Sequence, residues 1–564
     1  MKGFRFRGLL ATTSLLVLAG CGADDIASPG SGGNVSIVTN NTTPAPTPTP
    51  TATPTSTLVT AATGCPTVAD PQGLTDGGTI SGPTGSYRVC VLPKIIQRSV
   101  QLPKLAGLVY QLAGRTDVGC DRGTDESSVP AKCYDGTTNT PAAVTLTVDP
   151  GVIIYANTGV AWLAVNRGNK IQAVGTATQP IVMTSRDNIL GLNTDSSSGQ
   201  WGGLVLMGRA RVTDCAVSGA TPGSNACYRQ TEGAADPAYY GGTTDTDSSG
   251  HVGFMQIRYS GYVLSMDSEL QSLTTEGVGS ATQIDHIMSF NSSDDGSEFF
   301  GGTVNEKYYL SVGAEDDNLD TDTGLQGHFQ FVAAIQRNGL GDSFIEDDSD
   351  NAFNENTPRQ HTFVANATFV GSSTASSTNA DLAAILLRGN SDYTLANSVV
   401  YSPNLPCLRI SQAQTASTTA DPSIDELGAP VFRSVAFQCG GSSKYLGANG
   451  VTDAQVQAIF GTGQNNNTDT FTNTLAALGG SGRAYINGAN ETAIVAYDVS
   501  AFNSVQGSAL FPNANSTANL FVKTAYIGAF SGTTDTWAQG WTCNSSTANF
   551  GTGNSGLCTS LPTT

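Results

Sequence analysis

An all-β parallel β-helix, a solenoid of short coils with a capping region at each end, is the fold class this sequence predicts. Three observations carry the prediction. Short β-branched runs such as "TLTVDPGVIIYANTG", "GNKIQAVGT", "QPIVMTSRDN" and "QWGGLVLMGRARV" follow one another between Gly, Asn, Asp and Pro, and no helical stripe competes. Glycine is abundant, 65 of 564 residues, while only 13% of residues are charged, a balance that suits turns and short strands. The third observation is an internal period. Setting Asp294 on Asp316 places Ile287 on Tyr309, Phe290 on Val312, Asp295 on Asp317 and Glu298 on Asp320, and a further copy at Asp342 brings Ile335 and Glu346 into the same columns. Steps of 22 and 26 residues match one coil of a parallel β-helix and are too short for a propeller blade.

The elements follow in chain order. Lys2, Arg5 and Arg7 precede an apolar run from Leu9 to Leu18 that is too short to span a bilayer, which marks residues 1–20 as an export signal. The four residues Leu18-Ala19-Gly20-Cys21 resemble the bacterial lipobox, and the resemblance implies a lipoprotein carrying its acyl chains (palmitate) on Cys21. Gly22 stands where an Asp would imply inner-membrane retention, so the same resemblance implies the outer membrane, at its cell-surface or periplasmic face. Residues 21–64 read as a tether. Pro44, Pro46, Pro48, Pro50 and Pro54 lie in a stretch without charge, which cannot bury a core and extends at about 3.1 Å per residue where it is polyproline-like.

Composition narrows the partners. With 26 basic against 46 acidic residues the formal charge is -20, which argues against nucleic acid and bare anionic lipid and in favour of cations or basic ligands. Eleven cysteines leave ten once Cys21 is set aside, an even number that implies disulfides in an exported protein. They fall as neighbours: Cys65 and Cys90, Cys120 and Cys133, Cys215 and Cys227, Cys407 and Cys439, Cys543 and Cys558. Local pairing is the expectation, although the connectivity stays open at this level; each closed loop would contribute about 2–4 kcal/mol. No C-x-x-C occurs, so zinc ligation is disfavoured.

Residues 65–144 are expected to cap the first coil, 145–440 to form the coils, roughly a dozen of them, and 441–564 to cap the far end. In the last region "TDAQVQAIFG" predicts one helix, capped by Thr452 or Asp453 and stopped by Gly461. Both caps would cover sheet edges otherwise free to pair with other chains.

The segments "TVDPGVIIYANTGVAWLAVNRGNKIQAVGTATQPIVMTSRD", "GQWGGLVLMG", "NSSDDGSEFFGGTV" and "YIGAFSGTTDTWAQGWTC" resemble a family of bacterial surface lipoproteins. The resemblance spans about Thr145 to Cys543. It implies a right-handed parallel β-helix of the pectate-lyase-like type, and it implies the fold rather than an activity, because this superfold hosts lyases, hydrolases, adhesins and tail spikes.

The repeat concentrates charge. From Asp294 to Asp350 lie 14 of the 46 acidic residues, opposed in the same stretch by Lys307 and Arg337. Stacked at the coil rise of about 4.8 Å, two carboxylates repel by about 0.9 kcal/mol in water and about 3.5 kcal/mol at an effective dielectric of 20. Calcium takes six to eight oxygen ligands, and Asp294, Asp295, Glu298, Asp316, Asp317, Asp320 and Asp342 are the candidate ligands, in an irregular site without an EF-hand or glycine-rich nonapeptide. A hydrated acidic face is the alternative reading, and catalysis a third.

Polysaccharide cleavage calls for a residue set that this chain matches in part. Polygalacturonases use paired aspartates with a nearby His and basic groups. Asp294, Asp295, His328 in "GHF" and Arg409 in "LRIS" occur in a similar order, but the second Gly after His328 is missing and Ser411 stands where that family has Lys. Among the other marked residues, Trp201 is expected to plug a coil corner, and Phe299 and Phe300 to alternate between core and exterior. His251, His286, His328 and His361 show no ligand spacing, and no G-x-S-x-G or phosphate loop is present. The reading is a tethered, disulfide-stapled outer-membrane lipoprotein whose solenoid binds or supports a partner: a TonB-dependent transporter, a second copy or a glycan. The runner-up is a calcium-dependent polysaccharide hydrolase or lyase with Asp294, Asp295 and His328 in the catalytic roles.

Overall fold

In the computed structural model the described residues are 58–265, 268–349, 356–372, 382–441, 443–504, 520–551 and 556–562. The lipidation position Cys21, the export signal, most of the tether and Asp350 lie outside them. No helix among the described residues is long and apolar enough to cross a membrane.

Two long sheets run the length of a column. The first contains, in spatial order, Thr75–Gly82, Gly85–Val91, Leu108–Leu112, Ile153–Ala156, Ile181–Ser185, Gly250–Arg258, Gln283–Phe290, Asn305–Val312, Gln326–Ile335, His361–Val370, Asp392–Ser402 and Val431–Cys439. Only its opening hairpin is antiparallel; the later neighbours pair in parallel. The second sheet has eleven strands, from Ile95–Ile96 through Leu273–Val278, Ser297–Gly302, Leu319–Asp322 and Ile345–Asp347 to Tyr445–Ala448. Inward residues of both sheets form one apolar column, for example Ile287, Tyr309 and Val332 against Leu319, Ile345 and Ile385. Contacts of this kind are between neighbouring coils, so stability accrues coil by coil.

The register read from the repeat holds for Ile287 with Tyr309, Phe290 with Val312, Glu298 with Asp320 and Asp320 with Glu346. Ile335, expected over Tyr309, pairs with Val312 instead while Val332 takes Tyr309, because the extra residues of the 26-residue step lie between this first-sheet strand and the next second-sheet strand. The column starts earlier than expected. Gly85–Val91 already stacks on Leu108–Leu112, so residues 85–118 are coils and not a separate cap. Even the end of the tether is tied in, since Val59 N–H donates to Thr84 O at 3.0 Å and Ala62 N–H to Gly107 O at 2.9 Å. Between Thr145 and Cys439 the second sheet has eight described strands, fewer than the dozen expected, because some coils carry long excursions. One excursion lies between Leu204–Met207 and Gly250–Arg258 and is closed by Cys215–Cys227. All ten cysteines pair with their neighbours in sequence.

The later first-sheet strands are bent at one aligned position. Phe254, His286, Tyr308, Phe331, Asn366, Asn397 and Ser434 occupy successive rungs, all with φ between 46° and 63°. Asn tolerates this left-handed backbone; Phe, His and Tyr do not by themselves. Their rings stack instead, with centroids 4.0 Å apart for Phe254 and His286, 4.4 Å for His286 and Tyr308, and 4.9 Å for Tyr308 and Phe331.

The C-terminal region both closes and flanks the column. The helix Asp453–Phe460 has the expected Thr452 cap, a capping box with Gln455, and Gly461 in the left-handed conformation at its end. Val456 and Phe460 enter the core. The chain then returns along the outer face beyond the bend, where Met288, Phe290, Leu310 and Val312 pack on Tyr485, Phe530, Trp541 and Phe550. Cys558 O accepts from Arg258 Nη1 at 2.8 Å, far from the capped end. The expectation of an end cap is therefore corrected: an outward face this apolar needs a lateral cover. Phe299 and Phe300 correct another. Both are buried, because outward-facing Phe300 packs under the excursion with Val212, Cys227 and Tyr240. Trp201 fills a corner, fully buried, its Nε1 donating to Arg258 O at 2.8 Å.

Candidate metal centre

The acidic repeat lands on one face because strand periodicity and coil register act together. On the second sheet Ser297, Phe299 and Thr321 point inward, so Glu298, Asp320 and Glu346 point outward and stack in one row. Phe300 and Asp322 continue the next outward row. The turn before each strand adds Asp294 and Asp295 from one coil and Asp316 and Asp317 from the next. That turn is tight: a Cβ on Gly296 would sit 2.2 Å from Ser311 Oγ and 2.5 Å from Tyr309 Oη, so only glycine fits.

Among the described residues these rows line a cleft of about 270 Å³ with eleven carboxylates and a single cation, Arg388. Carboxylate oxygens of Asp294, Asp295 and Asp316 lie within 4.8 Å of one another, and so do those of Asp295, Glu298 and Asp320. Asp295 belongs to both groups. Its Oδ1 accepts from Asp317 N–H at 2.9 Å, and Asp317 Oδ1 repeats the contact one coil on, from Ser343 N–H at 2.6 Å. Asp294 Oδ2 accepts from Gln271 Nε2 at 3.1 Å. Arg388 Nη2 bridges Glu346 and, at 3.2 Å, Asp348 at one end.

Burial and crowding keep these carboxyls from ionising freely. Desolvation, followed by the neighbouring Asp316, pushes Asp294 up to about 7. Desolvation, followed by Asp342, pushes Asp316 up to about 6. Asp295, Glu298, Asp317, Asp320 and Asp322 are raised well above the usual carboxylate range, burial being the largest cause for each. Hard oxygen donors this dense suit a divalent cation such as calcium, whose charge would favour the ionised forms.

The chain's architecture has a counterpart. The model of the pectate-lyase like beta helix domain family matches residues 130–478, more than half of the chain. The chain belongs to that family. No curated protein and no solved structure matches it. Within this pectate-lyase-like β-helix, the structure brings together six of the seven residues expected to hold metal, Asp294, Asp295, Glu298, Asp316, Asp317 and Asp320. Asp342 sits at the edge of the group, its N–H donating to Asp316 O at 3.0 Å, and does not line the cleft.

His328 is elsewhere. It lies on a strand of the first sheet, stacked on Phe363 at 4.7 Å, and burial pushes it down to about 3. The constellation of Asp294, Asp295 and His328 is thus not assembled in one place. The basic residues of the acidic stretch do not neutralise the cleft. Arg337 pairs with Glu315 and Lys307 is on the first sheet, whereas Arg388, 40 residues past Asp348, supplies the cation in the cleft. Glu232 from the excursion and Glu269 from the preceding coil complete the acidic lining. Neither has a sequence signal, since both arrive from outside the repeat.

Proposed function

We propose that this β-helix is a lipid-anchored extracytoplasmic protein of the outer membrane, that it acts as a binding or structural surface module, and that calcium in the acidic cleft ties its central coils together. The observation that supports the metal reading most is the pair of three-carboxylate groups within 4.8 Å. Lipobox, tether and acidic charge support the location and the exclusion of nucleic acid. A TonB-dependent transporter, a second copy or a glycan is the partner class this reading accommodates.

The test is thermal melting of the chelator-stripped protein with and without calcium. Calcium at a hundredfold excess over its Kd should stabilise by about 2.7 kcal/mol, a rise of a few degrees in melting temperature, with a smaller effect from magnesium, which demands tighter octahedral geometry. Unchanged melting across a millimolar calcium series would overturn the metal reading. Calcium-dependent release of new reducing ends from an acidic polysaccharide would overturn the binding role in favour of an enzyme.

A further inference from the structure

We infer that a second cavity, between the first sheet and the C-terminal return, binds one ring of a neutral sugar. This deepens the surface-module reading above by naming its partner class, and rests on it.

Three features carry the inference. The first is size. The cavity measures about 260 Å³, just below the roughly 300–1,000 Å³ of sites that take drug-sized ligands, so it suits a single ring. The second is an aromatic wall. Phe363 of the first sheet meets Tyr497 and Phe502 of the return, with the Tyr497 and Phe502 centroids 5.4 Å apart and those of Phe502 and Phe363 5.7 Å apart. Tyr497 is fixed before any guest arrives, because its N–H donates to Asn397 Oδ1 at 2.7 Å and its carbonyl accepts from Asn397 Nδ2 at 2.9 Å. The electron-rich faces of such rings pack against the C–H groups of a pyranose. The third is polar capacity. Asp392, 5% exposed, lines the cavity; its Oδ2 takes the Leu427 N–H at 2.9 Å and meets His361 Nε2 at 3.0 Å, and the Glu426 carboxyl is hydrogen-bonded to Asp392 as well. A carboxylate accepts at about four lone-pair sites, so these three contacts leave room for one more donor. Arg433 lines the same cavity, donates from Nη1 to Asn465 Oδ1 at 2.5 Å, and has no carboxylate partner among the described residues.

Acid and base together select the guest. A fatty chain would strip water from both charges without replacing it, which is costly. An anion would meet Asp392. A quaternary ammonium would meet Arg433, whose guanidinium already sits 5.5 Å over the Tyr497 ring. A neutral polyol meets none of these objections, since one hydroxyl can donate to Asp392 and another accept from Arg433 while the C–H face covers an aromatic ring.

Saturation-transfer NMR on the chelator-stripped full chain tests the site independently of the acidic cleft. The probes are the methyl pyranosides of glucose, galactose and mannose, together with N-acetylglucosamine. At least one should bind in the millimolar range, as fits so small a ligand. Tyr497→Ala should weaken that binding about tenfold, Tyr497→Phe should retain it, and tetramethylammonium should not displace the sugar. Far-UV circular dichroism checks that both variants keep the β-helix. Transfer that is unchanged in Tyr497→Ala, or abolished by tetramethylammonium, would overturn the sugar site. Silence from every probe would also overturn it, and would leave the surface-module reading to a protein partner. Reducing sugar released from a methyl pyranoside would overturn the non-catalytic reading while keeping the cavity as the site.

Discussion

Glu306 faces the inside of the column, between Ile284 of one coil and Phe329 of the next. It is 1% exposed and neither of its oxygens has a hydrogen-bond partner. Burial therefore holds it neutral, well above the ordinary carboxyl range. An unsatisfied buried polar group costs about 1–3 kcal/mol, so Glu306→Met, which keeps an unbranched side chain, should stabilise the protein by roughly that amount. Urea unfolding measures it, and a destabilised Met variant would show that Glu306 has a partner in solution. The alternation that makes Phe329 core gives no hint of this exception, because Glu306 sits in an inward position that its neighbours fill with Ile and Phe.

At the scale of the coil, the acidic turns carry a pH signature. The folded protein holds Asp294 near 7 and Asp316 near 6, against about 3.9 for an unfolded Asp. Raised folded values mean that the native state binds more protons than the unfolded chain through this interval. Their contribution is thus fully present below about pH 4 and is lost as pH rises through 6 and 7. Chelator-stripped protein should melt at progressively lower temperature from pH 5 to pH 7.5, and saturating calcium should flatten the decline by favouring the ionised forms. A stripped protein whose melting temperature rises over that window would refute the assignment. Asp347, raised by burial to about 6, and Glu426, raised by burial to about 7, add to the decline in the same direction, so the part that calcium removes is what reports on the acidic turns. Asp285, lowered to about 2 by His251 and His286 against the cost of its burial, titrates outside the window.

For the whole molecule, the flank is the weak partner of a strong column. The coils contact their neighbours through continuous ladders, whereas the C-terminal return rests on side chains such as Trp541, which is fully buried and packs edge-on against Phe254 and His286. Trp541→Ala should cost about 3–5 kcal/mol. The loss should appear first as protease cleavage between about residues 480 and 560, with the far-UV signal of the coils retained. Simultaneous loss of both signals would mean that flank and column unfold as one unit.

The sequence by itself determined the repeat, the register of the two copies 22 residues apart and the face that carries the acids, because equal coil length and a side-chain period of two leave each residue one place to stand. In the longer third copy it set Ile335 over Tyr309, where Val332 stands. Ile287 over Tyr309 and Glu298 over Asp320 needed no coordinates. Neighbouring cysteines and the Thr452 cap were legible for the same reason, both being local. Tertiary structure alone decided what reaches the acidic cleft from a distance: Glu232, Glu269 and Arg388 come from other coils and from an excursion. It also decided that His328 stays away, and that the C-terminal region lies along the column. Loop length and the need to bury an apolar outer face govern those placements, and neither leaves a periodic mark in the chain.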